Sequence, residues 1–177
     1  MILKICLIVC IVTIIGLVTF QFIDPKLNKN NNTTIVEEDH SLKIGISGEV
    51  IKPGDYVLKE KATMEDLIAA AGGINTNGDD RCYYLEATVE NNCSYYIPPK
   101  YDNTDVCSED PIVKININDG TKEDLLTING FGETIVSSII SFREENGLFY
   151  TIEAIMNVSG IGNAKFNLCK NYIVLHE

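Results

Sequence analysis

Asn129-Gly130-Phe131-Gly132 and Ser159-Gly160-Ile161-Gly162 repeat one pattern at a spacing of thirty residues, Gly130 to Gly160. Each lies between a short helical pattern and a longer one, so each turn delivers the start of a helix. Closely spaced glycines permit a tight turn and let another backbone approach without side chains between. A helix start also offers unpaired amide N–H groups and the positive end of the macrodipole, a setting suited to phosphate. Two such turns suit two phosphates of one nucleic-acid backbone.

The flanking residues read as helices. Thr121 is placed to cap a helix through Leu125, Leu126 and Ile128, with Asp124 as its capping-box partner. From Glu133 to Glu145, Ile135, Ile139 and Phe142 form one stripe with Val136 and Ile140 beside it, and Gly147 ends the run. Thr151 is placed to cap a third helix carrying Ile152, Ile155 and Met156. Phe166, Cys169 and Ile173 recur at helical spacing after the second turn. Residues 111–177 therefore read as helix, hairpin, helix, twice over, in one four-helix unit. Cys169 falls on the apolar stripe, which favours a buried thiol over a disulfide with Cys107.

The preceding stretch has another period. Leu42 to Val50 alternates as a strand, Lys52-Pro53-Gly54-Asp55 is a turn, and Tyr56-Val57-Leu58 is a second strand. Thr63 caps a helix from Met64 to Ala71 that Gly72-Gly73 ends, and Ser94 to Ile97 is a late strand before Pro98-Pro99. Residues 41–100 thus form a small α+β module, with 101–110 a linker. Gly48, Pro53 and Gly54 read as bend and turn residues. Cys82 and Cys93 bracket ten intervening residues. They are predicted to form a disulfide stabilising the module by roughly 2–3 kcal/mol. No histidine or second cysteine pair at ligand spacing supports a metal site instead. His40 and His176 are isolated and receive no role.

Upstream, Ile5 to Ile23 is a run of nineteen residues without a charge, roughly 28 Å as a helix and near the thickness of a bilayer core. Thr19-Phe20-Gln21-Phe22 offers no small-x-small cleavage site, so 1–23 reads as an uncleaved transmembrane anchor. Residues 24–40, Asn-rich at their centre, read as a flexible tether. Positive charges flank both ends of the span and barely discriminate orientation. Cys6 and Cys10 lie within it. Four further cysteines (Cys82, Cys93, Cys107, Cys169) are an even number consistent with an oxidising exterior, which places the C-terminal bulk outside the cell. The net charge is −11. Residues 41–110 carry six Lys/Arg against thirteen Asp/Glu, and 111–177 five against eight. The strong acidity of the first module argues against nucleic acid lying across it.

Two resemblances follow from these motifs. Ile46-Ser47-Gly48-Glu49-Val50-Ile51-Lys52-Pro53-Gly54-Asp55-Tyr56, with the helix end Ala70-Ala71-Gly72-Gly73, resembles the soluble-ligand-binding β-grasp (SLBB) domain. That resemblance implies a fold, with ligands that vary across the family from polysaccharide to small molecules and proteins. Ile115-Asn116-Ile117-Asn118, Phe142-Arg143-Glu144-Glu145-Asn146-Gly147 and Asn157-Val158-Ser159-Gly160-Ile161-Gly162 resemble the tandem helix-hairpin-helix domain of ComEA-type competence proteins. The order of anchor, SLBB-like module and hairpin pair is similar to that family throughout. It implies a single-pass cell-membrane receptor that binds double-stranded DNA outside the cell during transformation, without sequence preference. A DNA-uptake channel and a retractable pilus are its implied partners, and self-association is left open.

On this reading the amides of Gly130, Phe131, Gly132, Gly160, Ile161 and Gly162 donate to phosphate oxygens, positioning a duplex without reading bases. Lys165 is the best charge partner, with an ordinary solvated lysine as the alternative; Lys170 and Lys114 are further candidates. The chain departs from the family pattern at Asn129, Phe131 and Glu133, where proline, isoleucine and lysine are usual. Glu133 beside a phosphate site repels the ligand, so the second hairpin reads as the stronger half-site. An alternative function is surface adhesion or assembly, with the SLBB-like module binding glycan or protein and the helices as a spacer. A nuclease needs clustered carboxylates or histidines to hold a metal, and the acids here are scattered. No catalytic residue, metal site or cofactor is assigned.

Overall fold

The computed structural model describes residues 41–102 and 110–177. The anchor over 5–23, the tether over 24–40, and Cys6, Cys10 and Cys107 lie outside the described residues. Among those described, no helix is long and apolar enough to cross a membrane. The fold is α+β.

Strand β1 (Ser41–Gly48) is central in a three-stranded sheet. It pairs antiparallel with β2 (Gly54–Lys59), Ile44 opposite Tyr56, and parallel with β3 (Ser94–Ile97), Ser47 opposite Tyr96. Helix α1 (Met64–Ala70) packs on the sheet. It begins in a capping box: Thr63 N donates to Asp66 Oδ2 at 2.9 Å, and Asp66 N to Thr63 Oγ1 at 3.4 Å. Ile44, Ile46, Met64, Leu67 and Ile97 close this half of the core. The ends of the expected linker pair with each other, as β4 (Tyr101–Asp102) antiparallel to β5 (Asp110–Pro111).

In the C-terminal half, β6 (Ile115–Asn116) pairs parallel with β7 (Ile173–Val174) and clips the two ends of the unit together. Helix α2 (Lys122–Leu126) starts in the Thr121/Asp124 capping box, α3 (Glu133–Asn146) ends at Gly147, and α4 (Asn163–Cys169) follows the second hairpin. The expected third helix is a 3-10 helix over Ile152–Asn157, and Thr151 does not cap its backbone. Asn118 ties the centre together. Its Nδ2 donates to Phe149 O and Leu175 O, both 3.0 Å, and its Oδ1 accepts from Phe149 N at 2.8 Å. Ile117, Leu125, Ile139, Ile152, Ile155 and Ile173 are fully buried around it.

The two halves belong to one compact unit, residues 40–177. The segment 79–84 is the hinge pin between them. Asp79, fully buried, accepts from Arg81 Nε and Nη2 at 3.0 Å each and from Lys114 Nζ at 2.7 Å. Leu175 N donates to Arg81 O (2.8 Å) and Tyr84 N to Tyr150 O (2.9 Å). His176, given no role from sequence, packs its ring 4.9 Å from that of Tyr84. Burial alone raises the Asp79 carboxyl, but hydrogen bonds from Arg81 and Lys114 outweigh it and hold the group at about 2.

The expected Cys82–Cys93 disulfide is not formed. Both thiols are free. Cys82 points away from the loop and into the junction, 3.7 Å from Ile173 O, while Cys93 lies 3.8 Å from Glu90 Oε2. The ten-residue spacing described a closable loop, but packing against β7 directs one thiol elsewhere. Burial pushes Cys82 to about 12 and Cys169, buried as expected, to about 11. A thiol reagent is therefore expected to modify Cys82 and Cys169 only after unfolding, as mapped by mass spectrometry. A bridge would instead leave Cys82 and Cys93 unreactive until reductant is added.

Candidate nucleic-acid interface

Both glycine motifs are tight turns of the same kind. In the first, Phe131 N donates to Ile128 O at 3.0 Å; in the second, Ile161 N donates to Val158 O at 3.1 Å. The third residue of each turn is Gly130 (φ 89°) or Gly160 (φ 90°), the left-handed position that a type II turn assigns to glycine. The side chains of Phe131 and Ile161 plug into the core. Each turn also leans on the opposite repeat. A Cβ at Gly130 would lie 3.8 Å from Leu168 Cδ1, and one at Gly160 3.7 Å from Ile135 Cγ1. The two turns therefore brace each other's helices.

This geometry divides the expected donors. The Phe131 and Ile161 amides are consumed in closing the turns, so these two residues are anchors and not phosphate donors. Gly130, Gly132, Gly160 and Gly162 are exposed, and their amides have no hydrogen-bond acceptor among the described residues. The first helical bonds run from Val136 N to Gly132 O and from Phe166 N to Gly162 O, both 3.0 Å. The amides of residues 133–135 and 163–165 are thus left without intrahelical partners. No side chain caps them, because the N-cap is Gly132 in one case and Gly162 in the other. A Cβ at either N-cap would meet nothing within 4 Å. The extra donors were readable from sequence, since a glycine at the N-cap carries no oxygen to occupy them.

The lysines separate as well. Lys165 is half-buried on α4 and forms no ion pair among the described residues. Lys114, by contrast, is buried against Asp79, and Lys170 Nζ sits 4.0 Å over the Tyr96 ring. Neither is a contact for a ligand at the turns. Glu133 forms an ion pair with Lys122 at 2.5 Å.

Residues 110–174 match the family described as helix-hairpin-helix motif, and residues 43–96 the SLBB domain. The chain is similar to ComE operon protein 1 of Bacillus subtilis (strain 168), 33% identical over 148 residues that cover 78% of this chain and 72% of that protein. The chain belongs to the ComEA-type family. Shorter similarities reach Endonuclease/exonuclease/phosphatase family domain-containing protein 1 of Xenopus laevis, 37% identical over 57 residues, and of Homo sapiens, 36% over 61. Each covers 32% of this chain and 10% or 11% of the relative.

In this ComEA-type chain the SLBB and hairpin halves also enclose a cleft of about 740 Å³, on the walls of which stand Glu86, Glu90, Tyr95, Phe149, Tyr150 and Glu153. Glu153 Oε1 accepts from Tyr96 N across the junction at 2.7 Å. Burial pushes its carboxyl up to about 7, against the Tyr96 and Glu153 amides, Thr151 and Lys170. A raised carboxyl means that the folded state binds its proton more tightly than the unfolded one. Its contribution to stability is therefore greatest below the ordinary value of 4.5 and declines as pH rises to about 7. Residues 40–177 are expected to lose up to about 3 kcal/mol across that window through this group. Denaturant titrations of wild type and Glu153→Gln between these pH values check it; an equal pH dependence in the two would reject the assignment.

Proposed function

We propose that this ComEA-type chain is a membrane-anchored receptor, its SLBB and hairpin halves outside the cell, that holds double-stranded DNA without sequence preference during uptake. One observation carries the reading: two braced glycine turns, each followed by a helix whose first amides are exposed and uncapped. Amides of this kind donate to phosphate oxygens, which repeat along any duplex and carry no base information. Gly130, Gly132, Gly160 and Gly162 position those donors, and Lys165 supplies charge at the second turn. The role is binding, not catalysis, and 5–23 supplies the anchor. A channel and pilus that pass DNA onward are the partners that this role requires.

The acidic surface leaves few cations to contribute, so affinity is modest, and it falls as salt rises. Each phosphate neutralised adds about 0.9 to the slope of log K against log salt. Gel-shift titration of residues 40–177 against random duplexes at about 50 and 200 mM salt tests the reading. Salt-sensitive binding indifferent to base composition supports it. Absence of binding at the lower salt would favour the surface adhesion or assembly role.

A further inference from the structure

Lys122 and Glu133 are the first residues of the two helices that the first glycine turn joins. Their side chains meet across that turn at 2.5 Å, although both remain open to solvent, 45% and 68% exposed. An exposed pair contributes little to folding, so stability does not account for it. The second turn has no such pair: thirty residues on from Glu133 stands neutral Asn163, and Lys165 is unpaired among the described residues. One half-site thus has its cation available, while the other has its cation tied to a carboxylate.

We infer that Glu133 is an internal competitor for phosphate, holding Lys122 in an ion pair that DNA must exchange before the first turn can contribute a charged contact. The inference rests on the duplex-binding reading and names what sets the strength of its weaker half-site. A carboxylate and a phosphate diester offer an ammonium the same kind of charge-assisted acceptor. The existing pair is solvent-exposed and weak, whereas a duplex phosphate also releases condensed counterions when neutralised. Exchange moves Lys122 onto DNA and leaves Glu133 unpaired beside it. The carboxylate therefore limits affinity twice, by occupying the lysine and by repelling the strand.

The test compares salt-dependent binding of random duplex DNA by residues 40–177 as wild type, Glu133→Gln, Lys122→Ala and the double variant. Both side chains are exposed, and the fold does not depend on them. Glu133→Gln is expected to tighten binding roughly three- to tenfold and to steepen the salt slope by up to about 0.9, the full value corresponding to a pair that persists in the wild-type complex. In the Lys122→Ala background, most of that gain and the added slope should vanish. An equal gain with and without Lys122 would reduce Glu133 to simple repulsion and overturn the exchange. If Glu133→Gln changes nothing while Gly162→Glu still weakens binding, the exchange fails and the receptor reading stands. Failure of wild type to bind at all would overturn both.

Discussion

Asp79→Ala is expected to destabilise residues 40–177 by about 3–5 kcal/mol, the usual consequence of leaving a buried charge without its partner. Lys114 is 1% exposed, and Asp79 supplies its ion pair. Arg81 loses a bidentate acceptor at the same time. In thermal unfolding the loss corresponds to a midpoint lower by roughly 10–15 °C for a unit of this size. Because Lys114 and Asp79 come from opposite halves, unfolding should remain a single transition with both halves lost together. Two separate transitions, with only one shifted, would refute the idea that the junction is integral to the fold. Asp79→Ala with Lys114→Met should recover part of the loss, since apolar replacement of a buried pair is often tolerated. Acid should act on the same pair. Its stabilisation is present above the ordinary carboxyl value of 3.8 and is lost as pH falls through about 2.

Gly162→Glu is expected to weaken DNA binding by about 2 kcal/mol, roughly thirtyfold, through one negative charge set a few ångströms from a phosphate in a partly screened setting. The position makes this a clean substitution. Gly162 has φ −110° and ψ −176°, extended backbone that any residue adopts, and a Cβ there meets nothing. Gly160 is a poorer choice, because a side chain at φ 90° strains the turn itself. Gly162→Ala should bind nearly as well as wild type, and the thermal midpoint of both variants should stay close to that of wild type. Gel shift and melting together check the expectation. Unchanged binding by Gly162→Glu would dismiss the amides of the second turn as the phosphate contact.

Much of the local structure was legible because it depends on contacts a few residues apart. The Thr63/Asp66 and Thr121/Asp124 boxes each close over three residues, and their hydrogen bonds form as the pattern implies. The glycine turns were equally legible, and the same pattern carries their internal hydrogen bond. A glycine at the third turn position implies that the next amide donates backwards, which removes Phe131 and Ile161 from the donor set. The Thr151 cap failed because that side chain is engaged elsewhere. Its side chain is buried at the junction and serves Glu153.

What the amino-acid order alone determined was the alternation of β1 and β2, the capped helices, and two glycine turns set thirty residues apart. These are short-range outcomes of side-chain period, N-cap oxygens and left-handed glycine. Tertiary structure alone decided where Cys82, Lys114 and Lys170 went. Cys82 meets Ile173 across 91 positions, and Lys114 meets Asp79 across 35. Spacing made a disulfide and two DNA contacts plausible for these residues. Docking of the two halves instead buries Cys82 and Lys114 in the junction and lays Lys170 over Tyr96, and no local pattern encodes which partner the other half will present.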